Sequence, residues 1–320
     1  TEGSTGVDES GTTDIITVVL NAQPVSDVVM AISSSDASET AVNGSTANNN
    51  SLTFTSENWD TPQSFTVTGV DDDLVDGTVN SILTISIVDA LSDNGFDAVA
   101  DQTVTASTTD DDVAGFTIVE LDGSTEVDES GDTDTFTVVL DAQPTSDVVI
   151  TITSSDTGEA TVTSTLTFTP ANWDTPQVAT ITGVDDDIID GSQTSTITVS
   201  IDDANSDDDF DAVADQTVSV STTDDDVAGF TVAETDGSTG VDESGTTDII
   251  TVVLNAQPAS DVVITVTSSD TGEATVTSPL TFTSANWDTP QNVTVTAADD
   301  ELVDGTVNST VTIAIDCLLY

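Results

Sequence analysis

Short apolar runs with a period of two recur along this chain. In Thr135-Phe136-Thr137-Val138-Val139-Leu140, the residues Phe136, Val138 and Leu140 share one face, which is how a half-buried strand reads. Val148-Val149-Ile150-Thr151-Ile152-Thr153, Thr196-Ile197-Thr198-Val199-Ser200-Ile201 and Gln216-Thr217-Val218-Ser219-Val220-Ser221 follow the same rule. Threonine fills many outward positions, and a β-branched polar residue suits a solvated sheet face. Shorter runs at Ala114–Glu120, Ala160–Val162, Leu166–Phe168 and Val178–Val184 add further strands. Val127-Asp128-Glu129-Ser130-Gly131 reads as a polar turn, and no segment has a helical period. The pattern predicts an all-β chain of antiparallel β-sandwich units, with Phe136, Val138, Leu140, Ile150, Ile152, Phe168, Ile197, Val199 and Ile201 inward.

The pattern is said three times. Trp59, Trp173 and Trp287 lie 114 residues apart, each inside Asn-Trp-Asp-Thr-Pro-Gln. A solenoid coil or propeller blade repeats at roughly 20–50 residues, whereas one β-sandwich takes about 100. Three sandwich units are expected, at residues 1–113, 114–227 and 228–320. Repeat one carries extra residues in its Asn-rich stretch near Asn43–Asn50, read as a longer surface turn. It also lacks a counterpart of the first strand, and repeat three lacks the last strand. Ends out of phase with the repeat suggest part of a longer array, the alternative being a subunit completed by neighbouring chains. Asp110-Asp111-Asp112-Val113-Ala114-Gly115-Phe116 joins one unit to the next without a Pro- or Ser-rich spacer, so the units should not tumble freely.

Charge sharpens the picture. The chain has 60 Asp plus Glu, no Lys, Arg or His, and a formal net charge of −60. Phosphate-directed nucleic-acid binding needs Lys or Arg, and an anionic membrane surface attracts basic residues, so neither partner is expected. No apolar run reaches the roughly 20 residues of a membrane span, and no basic leader precedes one. The single Cys317 allows no internal disulfide. Catalysis lacks its usual parts: no His base, no Lys nucleophile, no Arg clamp. A carboxylate pair could hydrolyse glycosides, but these acids recur in every copy at a unit junction, which is structural behaviour. No enzyme is expected.

The acids cluster at fixed places. Repeat two has Glu129, then Asp185-Asp186-Asp187 with Asp190, then Asp224-Asp225-Asp226. All three segments can reach one end of a sandwich. With no basic partner in the chain, several convergent carboxylates call for an external cation, and hard divalent ions such as Ca2+ take six to eight oxygen ligands. The candidate ligands are Glu129, Asp185, Asp186, Asp190, Asp224, Asp225 and Asp226 in repeat two. Repeat one offers Glu9, Asp71, Asp72, Asp76, Asp110, Asp111 and Asp112. Repeat three offers Glu243, Asp299, Asp300 and Asp304 but no triplet, so weaker binding is expected there. The competing reading is that these acids are turn residues on a generally acidic surface. Asp207-Asp208-Asp209-Phe210-Asp211 and its thinner counterpart Asp93-Asn94-Gly95-Phe96-Asp97 read as solvated loops, and the tryptophans as plugs at a sheet corner.

Gly183-Val184-Asp185-Asp186-Asp187-Ile188-Ile189-Asp190 and Asp224-Asp225-Asp226-Val227-Ala228-Gly229-Phe230 together resemble the Calx-β module, the calcium-binding sandwich of sodium/calcium exchangers that also occurs in bacterial surface proteins. Glu129 in Asp-Glu-Ser-Gly sits where that family has an early glutamate ligand. The resemblance covers the chain three times and implies Ca2+ as cofactor, neighbouring units as partners and an extracellular location. Two departures stand out. The family's mid-domain ligand has no clear match, because Ser155-Asp156-Thr157-Gly158-Glu159 is spaced differently. Gly191-Ser192-Gln193 replaces further acids. The resemblance implies a calcium-stiffened array in a surface protein or fibre. A glycan- or protein-binding adhesive module, and a halophilic surface-layer protein whose acidity serves hydration, are the alternatives.

Overall fold

The computed structural model describes residues 5–44, 50–121, 123–299 and 305–316. The chain is built from short strands, and among the described residues the helical elements are three single 3-10 turns. Repeat two is the most complete, with nine strands in two facing sheets. One sheet runs Thr125–Asp128, Gln216–Thr223, Gln193–Ile201, Val148–Ser154, Thr165–Phe168. The other runs Ala160–Val162, Gln177–Gly183, Thr133–Leu140, Phe116–Glu120. All nine inward residues named from the alternation are buried, Phe136, Val138, Ile150, Phe168, Ile197 and Val199 completely. The period of two is therefore satisfied by an apolar layer between the sheets.

The structure corrects the sequence reading at Val127. Thr125–Asp128 is a strand, not part of a turn, and it pairs parallel with Gln216–Thr223, Thr125 opposite Val220 and Asp128 opposite Thr223. Repeat one repeats this, with Thr5–Asp8 parallel to Gln102–Thr109. The sandwich is thus mixed and not wholly antiparallel. The chain leaves one sheet at Glu120, where Phe116–Glu120 pairs antiparallel with Thr133–Leu140, and joins the other at Thr125, where Thr125–Asp128 runs the same way as its distant partner Gln216–Thr223. Only Glu129-Ser130-Gly131 turns. Asp128 Oδ1 accepts the Ser130 amide at 2.9 Å, and Gly131 takes φ +92°, a left-handed conformation that costs a residue with a Cβ about 1–2 kcal/mol.

The Asp207–Asp211 segment is also corrected. Asp207 is buried, and its Oδ2 accepts the Thr145 hydroxyl and the Ser146 amide, both at 2.7 Å. Phe210 is fully buried in the repeat-two core. The segment is a pinned loop, not a solvated one. In repeat one, Asp93 holds the Val25 and Ser26 amides in the same way. The tryptophans behave as corner plugs: Trp173 packs on the core, its carbonyl accepts the Leu140 amide at 3.2 Å, and Asn172 Oδ1 accepts the Thr169 amide at 2.6 Å.

Every sheet lies within one of the three sequence repeats. Two isolated parallel bridges cross between repeats, Leu74 with Gln143 and Ile188 with Gln257.

Candidate metal centre

In repeat two, four segments end at the same edge of the sandwich. Glu129 follows the Thr125–Asp128 strand and donates its amide to the Thr223 carbonyl at 3.1 Å. Asp224–Asp226 follows Gln216–Thr223, the partner of that strand. The Asp185–Asp190 run leaves Gln177–Gly183. Glu159 stands just before Ala160–Val162, its carbonyl accepting the Val184 amide at 2.9 Å. Gly183 makes the approach possible: a Cβ there would meet the Asp128 carbonyl oxygen at 2.1 Å. Gly69 repeats this against Asp8.

Backbone amides fix the acid loops. Asp224 Oδ2 accepts the amides of Asp190 and Gly191 at 3.0 and 2.7 Å, and its Oδ1 accepts that of Asp226 at 2.8 Å. These donors hold the Asp224 carboxyl below the usual carboxylate range. In repeat one Asp110 accepts the amides of Asp76, Gly77 and Asp112. One loop is thereby tied to the other.

The remaining carboxylates converge. Oxygens of Glu129, Asp224 and Asp226 lie within 4.8 Å of one another, as do those of Glu129, Glu159 and Asp190, and of Glu9, Asp110 and Asp112. Two charges at 4.8 Å repel by roughly 3–4 kcal/mol at an effective dielectric near 20. Burial, with the charges of Asp186 and Glu159, pushes Glu129 up to about 7. Burial, with Glu39, Asp72 and Asp110, pushes Glu9 up to about 8. Glu39, Glu159, Asp76, Asp112 and Asp226 are raised too, by burial first and then by neighbouring carboxylates. Both oxygens of Glu9 and one each of Glu39, Asp76, Asp112, Glu129, Glu159 and Asp226 are buried without a hydrogen-bond donor. A buried oxygen left unpaired costs about 1–3 kcal/mol, more when charged. A divalent cation with oxygen preference fits this donor set. Three positions carry an orphaned oxygen in both repeats: Glu9 and Glu129, Glu39 and Glu159, Asp112 and Asp226.

The structure sorts the sequence candidates. Glu9, Asp110, Asp112, Glu129, Asp190, Asp224 and Asp226 form the clusters. Asp72 bears electrostatically on Glu9, and Asp186 on Glu129. Asp76 lies beside Asp110 and Asp72. Asp71, Asp111, Asp185 and Asp225 are exposed and join no cluster. Exposure alternates along each triplet: Asp72 and Asp186 are half-buried between exposed neighbours, and Asp110, Asp112, Asp224 and Asp226 are half-buried on either side of exposed Asp111 and Asp225. Glu39 and Glu159 are not among the ligands expected from the sequence, although Glu159 joins a cluster. Their spacing from the other acids gave no signal. Their place in the repeat did, since Glu39, Glu159 and Glu273 each stand immediately before a short strand.

Repeat three differs. Glu243 is half-buried where Glu9 and Glu129 are buried, and Asp299 is exposed. Asp300 and Asp304 lie outside the described residues. Ala297 stands where Gly69 and Gly183 allow the close approach. Among the described residues no carboxylate cluster forms in this repeat.

The acid loops also touch the next repeat. The Gln143 amide donates to the Asp73 carbonyl at 2.6 Å, and the Val75 amide to the Gln143 carbonyl at 3.0 Å. Val75 packs on the repeat-two core. At the second junction the Gln257 amide donates to the Asp187 carbonyl at 2.6 Å.

No family model matches the chain, and no curated protein matches it in sequence. Solved structures overlap parts of it. One is described as the calcium binding domain CBD12 of CALX1.1, at TM-score 0.26 and 16% identity over 62% of this chain and 77% of that one. Another is the apo-form Calx CBD1 domain, at TM-score 0.28 and 17% identity over 36% of this chain and all of that one. A third is surface layer protein SbsC, domains 1–6, at TM-score 0.30 and 12% identity over 91% of this chain and 33% of that one. Overlaps at this level assign no family. No helix among the described residues is long and apolar enough to cross a membrane.

Proposed function

We propose that the chain is a calcium-binding structural array of an extracellular surface protein or fibre, in which Ca2+ stiffens the junctions between units. The observation that carries this reading is the buried, donor-less carboxylate oxygens at three matching positions of repeats one and two, Glu9 and Glu129, Glu39 and Glu159, Asp112 and Asp226. Glu129, Glu159, Asp186, Asp190, Asp224 and Asp226 would hold the ion in repeat two, and Glu9, Glu39, Asp72, Asp76, Asp110 and Asp112 in repeat one. The ion would supply the positive charge that a chain without Lys, Arg or His lacks. The loop holding Asp72 and Asp76 also carries Asp73, Leu74 and Val75, which pair with and pack on the next repeat. Ordering that loop therefore orders the joint. The role is mechanical and not catalytic: the same acids recur at successive junctions. Sites of this kind in extracellular modules bind with dissociation constants of about 10⁻⁴–10⁻³ M, which places them where calcium is millimolar.

Isothermal titration of the whole chain with calcium tests this. Saturable heat at sites in repeats one and two, lost on Asp110→Asn and Asp224→Asn, is expected. Heat no different from that of sodium at equal ionic strength would reassign the acids to hydration, the halophilic alternative.

A further inference from the structure

Two acidic loops from different repeats hang on one turn. In repeat one, the Asp73 carbonyl accepts the amide of Gln143 from repeat two at 2.6 Å. Val75, the neighbour of Asp76, donates its amide to the Gln143 carbonyl at 3.0 Å and packs on the repeat-two core. A little further along the same turn, Thr145 donates its hydroxyl to Asp207 Oδ2 at 2.7 Å. The Asp207 amide donates to the Asp147 carbonyl at 3.0 Å. The Gln143–Asp147 turn thus holds both the acid loop of repeat one and the Asp207–Asp211 loop of repeat two.

The Asp207–Asp211 loop has little freedom in what it presents. Asp207 is 4% exposed, Phe210 is fully buried, and Asp208–Phe210 forms a single 3-10 turn. Anchors at both ends leave the carboxylates between them, Asp208 and Asp209, exposed. Asp209 is the one that bears on repeat one: after burial, Asp110 and Asp72, its charge is the next cause that raises the Asp76 carboxyl. The fold of the loop does not require an acid there. Repeat one has Gly95 at this position, and the Gly95 amide donates to Asp93 Oδ1 at 2.8 Å as the Asp209 amide donates to Asp207 Oδ1 at 3.2 Å.

The site that Asp209 approaches is short of positive charge. Asp76 Oδ1 is buried without a hydrogen-bond donor, and so are both oxygens of Glu9, itself 1% exposed. Oxygens of Glu9, Asp110 and Asp112 lie within 4.8 Å of one another. The chain has no Lys, Arg or His to answer one more carboxylate. A negative charge brought up by the next repeat opposes the joint without a cation and closes it around one.

We propose that Asp209 of repeat two is a ligand, across the joint, of the cation held by Glu9, Asp76, Asp110 and Asp112 of repeat one. This rests on the calcium reading and deepens it: the ion is shared between two repeats and not enclosed by one. Hard divalent cations take six to eight oxygens, and a carboxylate from the neighbouring repeat fills one of those positions. Calcium affinity in repeat one and closure of the joint then form one linked equilibrium, each strengthening the other by the same factor.

Calorimetric titration of the whole chain with calcium tests this, in an Asp224→Asn background that removes the repeat-two site. Asp209→Gly, which copies Gly95, should weaken the remaining site about tenfold without lowering the melting temperature in chelator. Asp208→Asn, beside it on the same turn, should leave calcium affinity unchanged. In calcium, the distance distribution between labels on repeats one and two should be broader for Asp209→Gly than for its parent. Calcium binding that Asp209→Gly leaves at full strength would show the ion to be held by repeat one alone, overturning the shared ligand while keeping the calcium reading. Equal weakening by Asp208→Asn and Asp209→Gly would reduce the effect to a general loss of negative charge and overturn it too. No calcium heat from the parent would remove the calcium reading and this proposal together.

Discussion

Glu129→Gln should act with opposite signs in the absence and presence of calcium. The Glu129 carboxyl titrates near 7 in the folded chain against 4.5 for a free glutamate, from burial and the charges of Asp186 and Glu159. A raised folded value means that the folded chain holds the proton more tightly than the unfolded chain. Stability without metal therefore falls as pH rises from about 4.5 to about 7 and is flat beyond. Each unit is worth 1.36 kcal/mol, so the ionised carboxylate costs roughly 3 kcal/mol above pH 7. Glutamine removes that charge but leaves a buried amide, whose cost is about 1 kcal/mol where carboxylates can accept from it. The net gain near pH 8 in chelator is about 2 kcal/mol, or roughly 10 °C in the melting temperature of a unit this size. Near pH 4.5 the gain vanishes. In calcium the variant loses a charged ligand. An ion at a hundred times its dissociation constant stabilises by about 2.7 kcal/mol, and most of that should go. Differential scanning calorimetry on the whole chain, in chelator and in calcium at the two pH values, reads all of this. If Glu129→Gln destabilised equally with and without calcium near pH 8, the carboxylate would be a satisfied structural group and the electrostatic argument would be wrong.

Other changes are equally specific. Asp225→Asn should leave calcium affinity unchanged while Asp226→Asn lowers it about tenfold or more, because only Asp226 lies in the cluster; titration calorimetry compares them. Glu159→Gln should weaken calcium binding in repeat two about tenfold and spare repeat one, read by site-resolved NMR titration. Gly183→Ala should destabilise repeat two by more than 2 kcal/mol and abolish its calcium response, since the added Cβ meets the Asp128 carbonyl at 2.1 Å. Phe210→Ala should cost about 3–5 kcal/mol in repeat two, the usual cost of emptying a fully buried ring site; chemical denaturation measures it.

The strands of the sandwich were legible because strict alternation and burial are the same fact seen twice. All nine inward positions named from the pattern are buried. Thr125–Asp128 was not legible, since its pattern is short and polar and its partner Gln216–Thr223 is distant in sequence. The acid runs stand out in the sequence, but which member of a triplet faces inward is set by how the loops lie on the sandwich edge, and that leaves Asp71, Asp111, Asp185 and Asp225 exposed. Glu159 was hidden for the opposite reason. It reaches the cluster from the turn before a separate strand, so no local spacing marks it. Asp207 and Phe210 look like a solvated acidic loop in sequence, yet the loop is held by Thr145 and Ser146, residues that only the fold brings near.

The distance between repeats one and two tests calcium control of the joint most directly. Spin labels or fluorophores on exposed positions of each repeat, such as Val25 in repeat one and Val178 in repeat two, report both mean distance and spread. Calcium should give one narrow distance distribution. Chelator, or sodium at matched ionic strength, should broaden it, because monovalent salt only screens over about 8–10 Å at physiological strength. The combined change of Asp110 and Asp112 to Asn should give the broad distribution in every buffer. A distribution of the same width in calcium, chelator and sodium would contradict calcium control of the junction.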